Sequence, residues 1–525
     1  MPLSSLSAPS ERATPPRDLE IRPKQVKALI EGLPLARALE AGATVLAHIT
    51  ALNRVKIDVD DRLEILDMYR PVVVTLFDEL DAIYGKSTLP LGPKGRDALT
   101  LARGLASEIA VGYKIALLEK TGKRLAFGVR KQLPQLVLGA MRNLAAQLLA
   151  SYKSYSTAPE GVWAELHHLY LFAEGEGIAS EPADPQTKET IHDVYTEALL
   201  LSLTDPYRLV QGDLERVVAQ LRAVRALVTL GRERPSTRQS AHFLVPCDTD
   251  RPPKPALSAS DDTGGPNWRL LDANPVVDKL RTRKHAVETG NASATTSKAL
   301  GAEGLALLGK LISLWGDPPK RAHRRDPMEA SVAICVGLRS IAHFASAEPK
   351  ASPEEAQKIR DGITLPLAAA PADGGPKEHP VLQWNVVNQS RGGAKLSRAA
   401  QSLQPLNVGE AIGIKFVGRP RWAVGVVRWL TQTDQGAGME FGVQFLAPDA
   451  HMVWLQPTPI TSPQARQALL LPESKPEAHQ LLAPLNTYSD LREFEMTREA
   501  EVLSVRATNL IEKTARFELF HVAPS

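Results

Sequence analysis

The chain has 525 residues, 43% hydrophobic and 23% charged, with a formal net charge of +3. That length suits two to four domains, each able to bury its own core. So small a net charge argues against the basic surface of a nucleic-acid binder, so DNA is not an expected partner and any anion site must rest on local clusters.

Only Cys247 and Cys335 are cysteines, and neither belongs to a CxxC pair. They cannot form a Cys-based zinc site, and they point to a reducing compartment, although counting alone leaves one disulfide open.

Residues 1–19 are rich in Ser, Pro and charge and predict a disordered tail. They lack the apolar core of a signal peptide. No stretch reaches about 18 uncharged apolar residues, so no membrane span is expected and the default location is the cytoplasm.

Residues 20–230 are dominated by Ala, Leu and Glu at helical spacing. Leu35, Leu39 and Val45 mark one segment; Leu63, Leu66, Met68 and Tyr69 mark the next, where Pro71 predicts a kink or break. Further helices are expected over 94–120, 130–153, 161–175, 187–203 and 208–230. The result is a helical bundle or a stack of helical hairpins. Trp163, Leu166 and Tyr170 have the spacing of a tetratricopeptide helix, but no regular recurrence follows, so an amphipathic helix with aromatic core contacts is the expected reading. His167 and His168 lie on that helix without a partner at metal spacing and are read as structural or surface residues.

Residues 231–295 turn rich in Pro, Ser, Asp and Gly and predict a linker or a loop-rich small domain. The basic run Arg281–His285 reads as a solvated helix face. A connecting helix over 296–316 follows, ending at Gly316-Asp317-Pro318-Pro319.

Strand signals then take over. Val332, Ile334 and Val336 alternate with small residues, as do Ile412, Ile414 and Phe416. Segments 422–430 and 440–446 are short and rich in Val, Trp and Phe, and a series of short strands with Gly-containing turns predicts a barrel. Residues 340–380 interrupt it with a Pro/Ala/Gly-rich insertion carrying a helical piece near 353–361. Residues 461–525 resume strands, either as a second small β unit or as an extension of the first barrel.

Two short patterns carry chemistry. Lys320-Arg321-Ala322-His323-Arg324-Arg325 holds an R-x3-R pair, Arg321 and Arg325, before the first barrel strand. Asn388-Gln389-Ser390-Arg391-Gly392-Gly393 reads N-x-S-x-x-G at the end of a strand around Leu382–Val387. Arginine forks match the O6/N7 edge of guanine and also pair with phosphate. Asn388 and Ser390 donate and accept, and the glycines allow a tight turn and close backbone approach. Alone, each pattern is common on solvated surfaces and in turns.

Together they resemble the PilZ domain, a six-stranded antiparallel barrel family of bacterial cyclic di-GMP receptors. Val408-Gly409-Glu410 with its following strand, the AVGVVRW strand from Ala423, and Phe441-Gly442-Val443-Gln444-Phe445 agree with the same family. The resemblance covers about 130 of 525 residues, over 317–450. It implies that Arg321 and Arg325 bind guanine and phosphate groups, and that Asn388, Ser390 and Gly393 hold the ligand against the barrel. Lys320, Arg324, Arg391 and Gly392 are possible additions. The departure lies in spacing: Arg325 and Asn388 are 63 positions apart, more than the family commonly has.

The expected fold is therefore α+β and multidomain: a helical region over 20–230, a PilZ-type barrel over 317–460, and a strand-rich extension. The expected function is a cyclic di-GMP receptor whose helical region meets a protein partner. The alternative is a helical scaffold or adaptor whose barrel is structural. No P-loop, GxGxxG, GxSxG or HExxH pattern occurs, and nothing pairs an activated nucleophile with a base. No enzyme activity, metal or cofactor is expected.

Overall fold

The computed structural model describes residues 3, 6–9, 13–122, 129–233, 240–256, 263–318, 324–346, 374–399, 404–433, 438–458, 465–472, 479–499 and 501–525. Lys320, Arg321 and the helical piece expected near 353–361 lie outside them. The chain divides into two units, Met1–Ser87 with Leu91–Lys320, and Thr88–Pro90 with Arg321–Ser525.

The first unit is built from α1 (Pro23–Glu31), α2 (Ala38–Asn53), α3 (Val59–Tyr84), α4 (Pro93–Gly122), α5 (Val129–Lys153), α6 (Val162–Gly175), α7 (Ile191–Ser202) and α8 (Asp213–Arg222). Helix α4 is buried without a break from Ile109 to Leu117, which marks it as the central helix. Its one buried cation there, Lys114, is neutralised by Glu165 of α6 at 2.8 and 2.7 Å. Ser7 N–H also donates to Glu165, at 2.7 Å, so this part of the N-terminal segment is held against the helices. Helix α3 runs through Pro71 as one helix, without the expected break. Pro71 and Asp67, whose carbonyl loses its donor, are both exposed, so water satisfies what the proline removes.

Where a linker or loop-rich piece was expected over 231–295, the chain forms strands β1 (Thr229–Gly231), β2 (His242–Pro246), β3 (Lys254–Pro255) and β4 (Trp268–Asp272), in the order β1-β4-β2-β3. Helices α9 (Asn274–Glu288) and α10 (Ala294–Gly316) follow, with non-helical Gly301 inside α10. Asp250, on a loop of this region, accepts the N–H groups of Gly161, Trp163 and Ala164 at the start of α6. Trp315 of α10 donates to the Leu200 carbonyl of α7 at 3.1 Å. The Trp163/Tyr170 pattern belongs to the core: Tyr170 stacks on Tyr195 at 4.1 Å. His167 is buried between the Tyr195 hydroxyl (2.6 Å) and the Arg251 carbonyl (2.9 Å).

The second unit begins with β5 (Asp326–Val336), α11 (Leu338–Ser346), β6 (Val381–Ser390), β7 (Gly393–Ala399), β8 (Ala411–Phe416), β9 (Ala423–Gln432) and β10 (Gly438–Ala447). The strands close an antiparallel six-stranded barrel in the order β5-β6-β7-β10-β9-β8. Strands β11 (His451–Thr458), β12 (Arg466–Leu471), β13 (His479–Ala483), β14 (Glu493–Arg498), β15 (Glu501–Lys513) and β16 (Glu518–Pro524) close a second one. Its order, β11-β12-β13-β16-β15-β14, repeats that of the first barrel strand for strand.

The two barrels share a core. Large residues such as Trp384 and Phe441 lie against each other edge to face, 4.8 Å apart. Small Ala333 and Cys335, alternating with Val332 and Ile334 on β5, instead pack with Ile341 and Ala342 of α11 and with Leu469, Leu471, Leu482, Phe517 and Leu519 of the second barrel. Residues 332–335 are therefore buried on both faces of the strand.

Two outcomes follow from this packing. Burial lowers the His167 pKa to about 4, so between pH 6.5 and 4 the unfolded chain binds the proton that the folded chain refuses. Stability of the helical unit should be complete above about pH 6.5 and fall as pH drops toward 4, and a His167→Asn variant should lose that dependence in urea titrations. Phe517→Ala should cost about 3–5 kcal/mol. Because the core is shared, both barrels should melt together in one calorimetric transition; separate transitions would contradict the packing.

Candidate functional site

Strand register sets Arg325, the described end of the first motif, at the same barrel end as the second motif. Every neighbouring pair in the first barrel is antiparallel, so the start of β5, the end of β6 and the start of β7 lie at one end of it. Asp326 pairs with Gln389 and Pro327 with Asn388. Arg325 thus leaves the barrel two residues from the partner of Asn388, although 63 positions separate the two in sequence. Both strands slip locally, between Pro327 and Ala330 on β5 and between Val386 and Asn388 on β6. Such bulges re-aim side chains, and the slip on β6 throws Val387 outward.

Strand β6 runs further than the sequence indicates, so Asn388 and Ser390 stand on the strand and only Arg391 and Gly392 form the turn. Ser390 Oγ donates to the Gly393 carbonyl at 3.2 Å, pinning the hairpin. Asn388 Oδ1 is buried and has no hydrogen-bond partner among the described residues. Its other register neighbour, Lys395, is engaged by Glu440 at 2.9 Å. Arg391 is exposed at the tip of the turn.

Gly393 owes its identity to close approach. A Cβ there would lie 2.1 Å from the Val443 carbonyl oxygen of β10, so only glycine lets the hairpin seat against that strand. Gly442 is required in the same way, by the Trp429 indole lying over it, 1.9 Å from where a Cβ would be.

On the arm, Arg324 and Arg325 are exposed and immediately precede β5. Arg324 approaches Asp326 at 3.7 Å with both side chains largely in water, a contact worth little. Arg321 and Lys320 lie outside the described residues, so of the R-x3-R pair Arg325 alone is placed. With Arg391 it sets two guanidinium groups at one barrel end, beside an orphaned amide oxygen. That set suits a planar ligand carrying both hydrogen-bond donors and phosphate.

The insertion over 340–380 joins β5 to β6 at the other end of the barrel. Its described flanks, α11 and residues 374–380, stay there or on the outer wall: Phe344 stacks on Trp422 at 4.8 Å and His343 on His379 at 4.4 Å. Gly374 and Val381 exchange backbone bonds of 3.0 and 2.8 Å.

Among the described residues no cluster of three or more His, Cys, Asp or Glu could hold a metal, and no helix is long and apolar enough to cross a membrane. The most shifted histidine and thiol, His167 and Cys247, are structural. Burial pushes the thiol up to about 11, far from a nucleophile's range.

Two family models match this chain. One describes the N-terminal domain of the cyclic-di-GMP receptor FimW and matches residues 24–236; the other describes that receptor's middle PilZ domain and matches residues 242–360 and 367–451. The second match starts well before the arm. The chain is also 25% identical over 509 residues to the cyclic-di-GMP receptor FimW of Pseudomonas aeruginosa, covering 86% of this chain and 81% of that protein.

The close approach at Gly393 is directly testable. Gly393→Ala should destabilise the barrel by about 1–3 kcal/mol through forced separation of β7 from β10. Urea unfolding followed by Trp fluorescence would read it; an unchanged midpoint would show that the hairpin is not seated as described.

Proposed function

We propose that this chain, which belongs to the PilZ domain family through its first barrel, is a receptor for cyclic di-GMP and not an enzyme. The observation that carries this reading is the register of β5 with β6, which sets Arg325 and the N-x-S-x-x-G hairpin at one barrel end. Similarity to a cyclic-di-GMP receptor over 86% of the chain supports it.

In this reading Arg321 and Arg325 reach the ligand from the arm. Their guanidinium forks pair with the O6/N7 edge of guanine and with phosphate oxygens. Asn388, Ser390 and Gly393 form the wall. The buried Asn388 Oδ1, unpaired among the described residues, is matched by a guanine amino donor. Leaving such an atom without a partner costs about 1–3 kcal/mol, which the ligand's donor would offset. Lys320, Arg324 and Arg391 add positive charge toward the two phosphates, and Gly392 keeps the turn narrow.

The arm also joins the two units in sequence, since the division falls between Lys320 and Arg321. Ligand binding would order the arm, and the helical unit would report that change to a protein partner in the cytoplasm. The flanks of the insertion leave from the barrel end opposite the motifs, which favours an open ligand face over a purely structural barrel.

Titration calorimetry of the full chain with cyclic di-GMP should show saturable binding. The Arg321→Ala/Arg325→Ala variant should bind at least about 100-fold more weakly, the loss of two charge-assisted contacts at about 1.5–3 kcal/mol each. Absence of saturable binding by the unaltered chain would return the scaffold reading.

A further inference from the structure

The second barrel repeats the strand order of the first but carries neither motif. The residues before β11 read Leu446-Ala447-Pro448-Asp449-Ala450, without arginine, and the connection between β12 and β13 reads PESKPEA. Neither of the two family matches extends past residue 451. Its role is legible in what it holds.

Strand β10 is the wall against which the nucleotide hairpin sits. Gln444 pairs directly with Gly393, and Phe445 N–H donates to the Gly392 carbonyl at 3.0 Å. Yet β10 faces a bulge of β9 at this point. Its register with β9 slips between Gly442, which pairs with Trp429, and Val443, which pairs with Val427. Arg428 is the residue left unopposed in that slip. A bulge weakens the ladder locally, so the strand needs another anchor there.

Arg428 supplies it. Its Nε donates to Gln444 Oε1 at 2.7 Å, and its two terminal nitrogens are taken bidentately by Glu512 of β15, Nη2 at 2.8 Å and Nη1 more closely. The guanidinium fork fixes orientation as well as distance. A continuous path therefore runs from the second barrel through Glu512, Arg428 and Gln444 to the backbone partner of Gly393. Phe517 and Leu519, packed with Val424 and Val426 of β9, keep the second barrel from moving relative to that path.

We infer that the second barrel is a positioning body for the nucleotide site: Glu512, acting through Arg428 and Gln444, holds β10 against the bulge of β9 and fixes the hairpin Gly392–Gly393 in its ligand-ready place. This rests on the receptor reading above. Glu512, Arg428 and Gln444 are positioning residues and contact no ligand in this account.

The test is calorimetry with cyclic di-GMP on the full chain and on Glu512→Gln, Gln444→Ala and the double variant, with melting temperatures alongside. Each single change should raise the Kd about fivefold with Tm nearly unchanged, and the double should add nothing further because both act on one path. Binding within twofold of the unaltered chain in both single variants would overturn the positioning role. Multiplying effects in the double variant would overturn the path through Gln444. Failure of the unaltered chain to bind removes the receptor reading and this one with it. If Glu512→Gln lowers the Tm, Gln444→Ala, at an exposed side chain that leaves the Arg428–Glu512 pair in place, carries the test alone.

Discussion

The pairing of β5 with β6 is the constraint on which the rest of the second unit depends. A closed barrel has no free edge, and its register cannot slide without turning every side chain to the wrong face. Once Pro327 is opposite Asn388, Arg325 just before β5 and the hairpin after β6 start from the same end of the barrel. The described flanks of the insertion, α11 and residues 374–380, leave from the far end. The entropic cost of closing a loop grows only slowly with its length, so a long connection between β5 and β6 is compatible with the barrel.

Around this register the barrel is built from an asymmetry of size. Large side chains fill the interior and small ones face out on β5, because what lies outside is protein and not water: α11 and the second barrel cover it. The second barrel answers with leucines on β12 and β13 that are buried on either face. The two barrels are in this sense one body, and the bulge of β9 against β10 is tolerable because the neighbouring barrel supports it through Arg428.

Much of this was legible in the sequence, and the exceptions have physical reasons. The strands of the first barrel could be read because their alternation and Gly-containing turns are local signals. The helices of 20–230 could be read because their stripes are long. Strands β1–β4 could not: they run two to five residues among prolines, too short for a period to show. The identity of the C-terminal strands as a closed barrel was hidden for another reason. ALLLP and HQLLAPL lose their alternation because both faces are covered, leaving apolar runs whose pairing is set by tertiary contact. Pro71 misled because a proline's cost depends on whether water reaches the orphaned carbonyl, which no local pattern reveals. Gly393 was read as a turn residue, whereas the approach of Val443 dictates it, across 50 positions of sequence.

The central claim is that one ligand bridges the arm to the hairpin. Hydrogen–deuterium exchange on the full chain, with and without cyclic di-GMP, tests it most directly. The account predicts ligand-dependent protection in two separated segments at once, the arm at 319–326 and the hairpin at 388–394. Protection of neither segment, or of one alone, would contradict it.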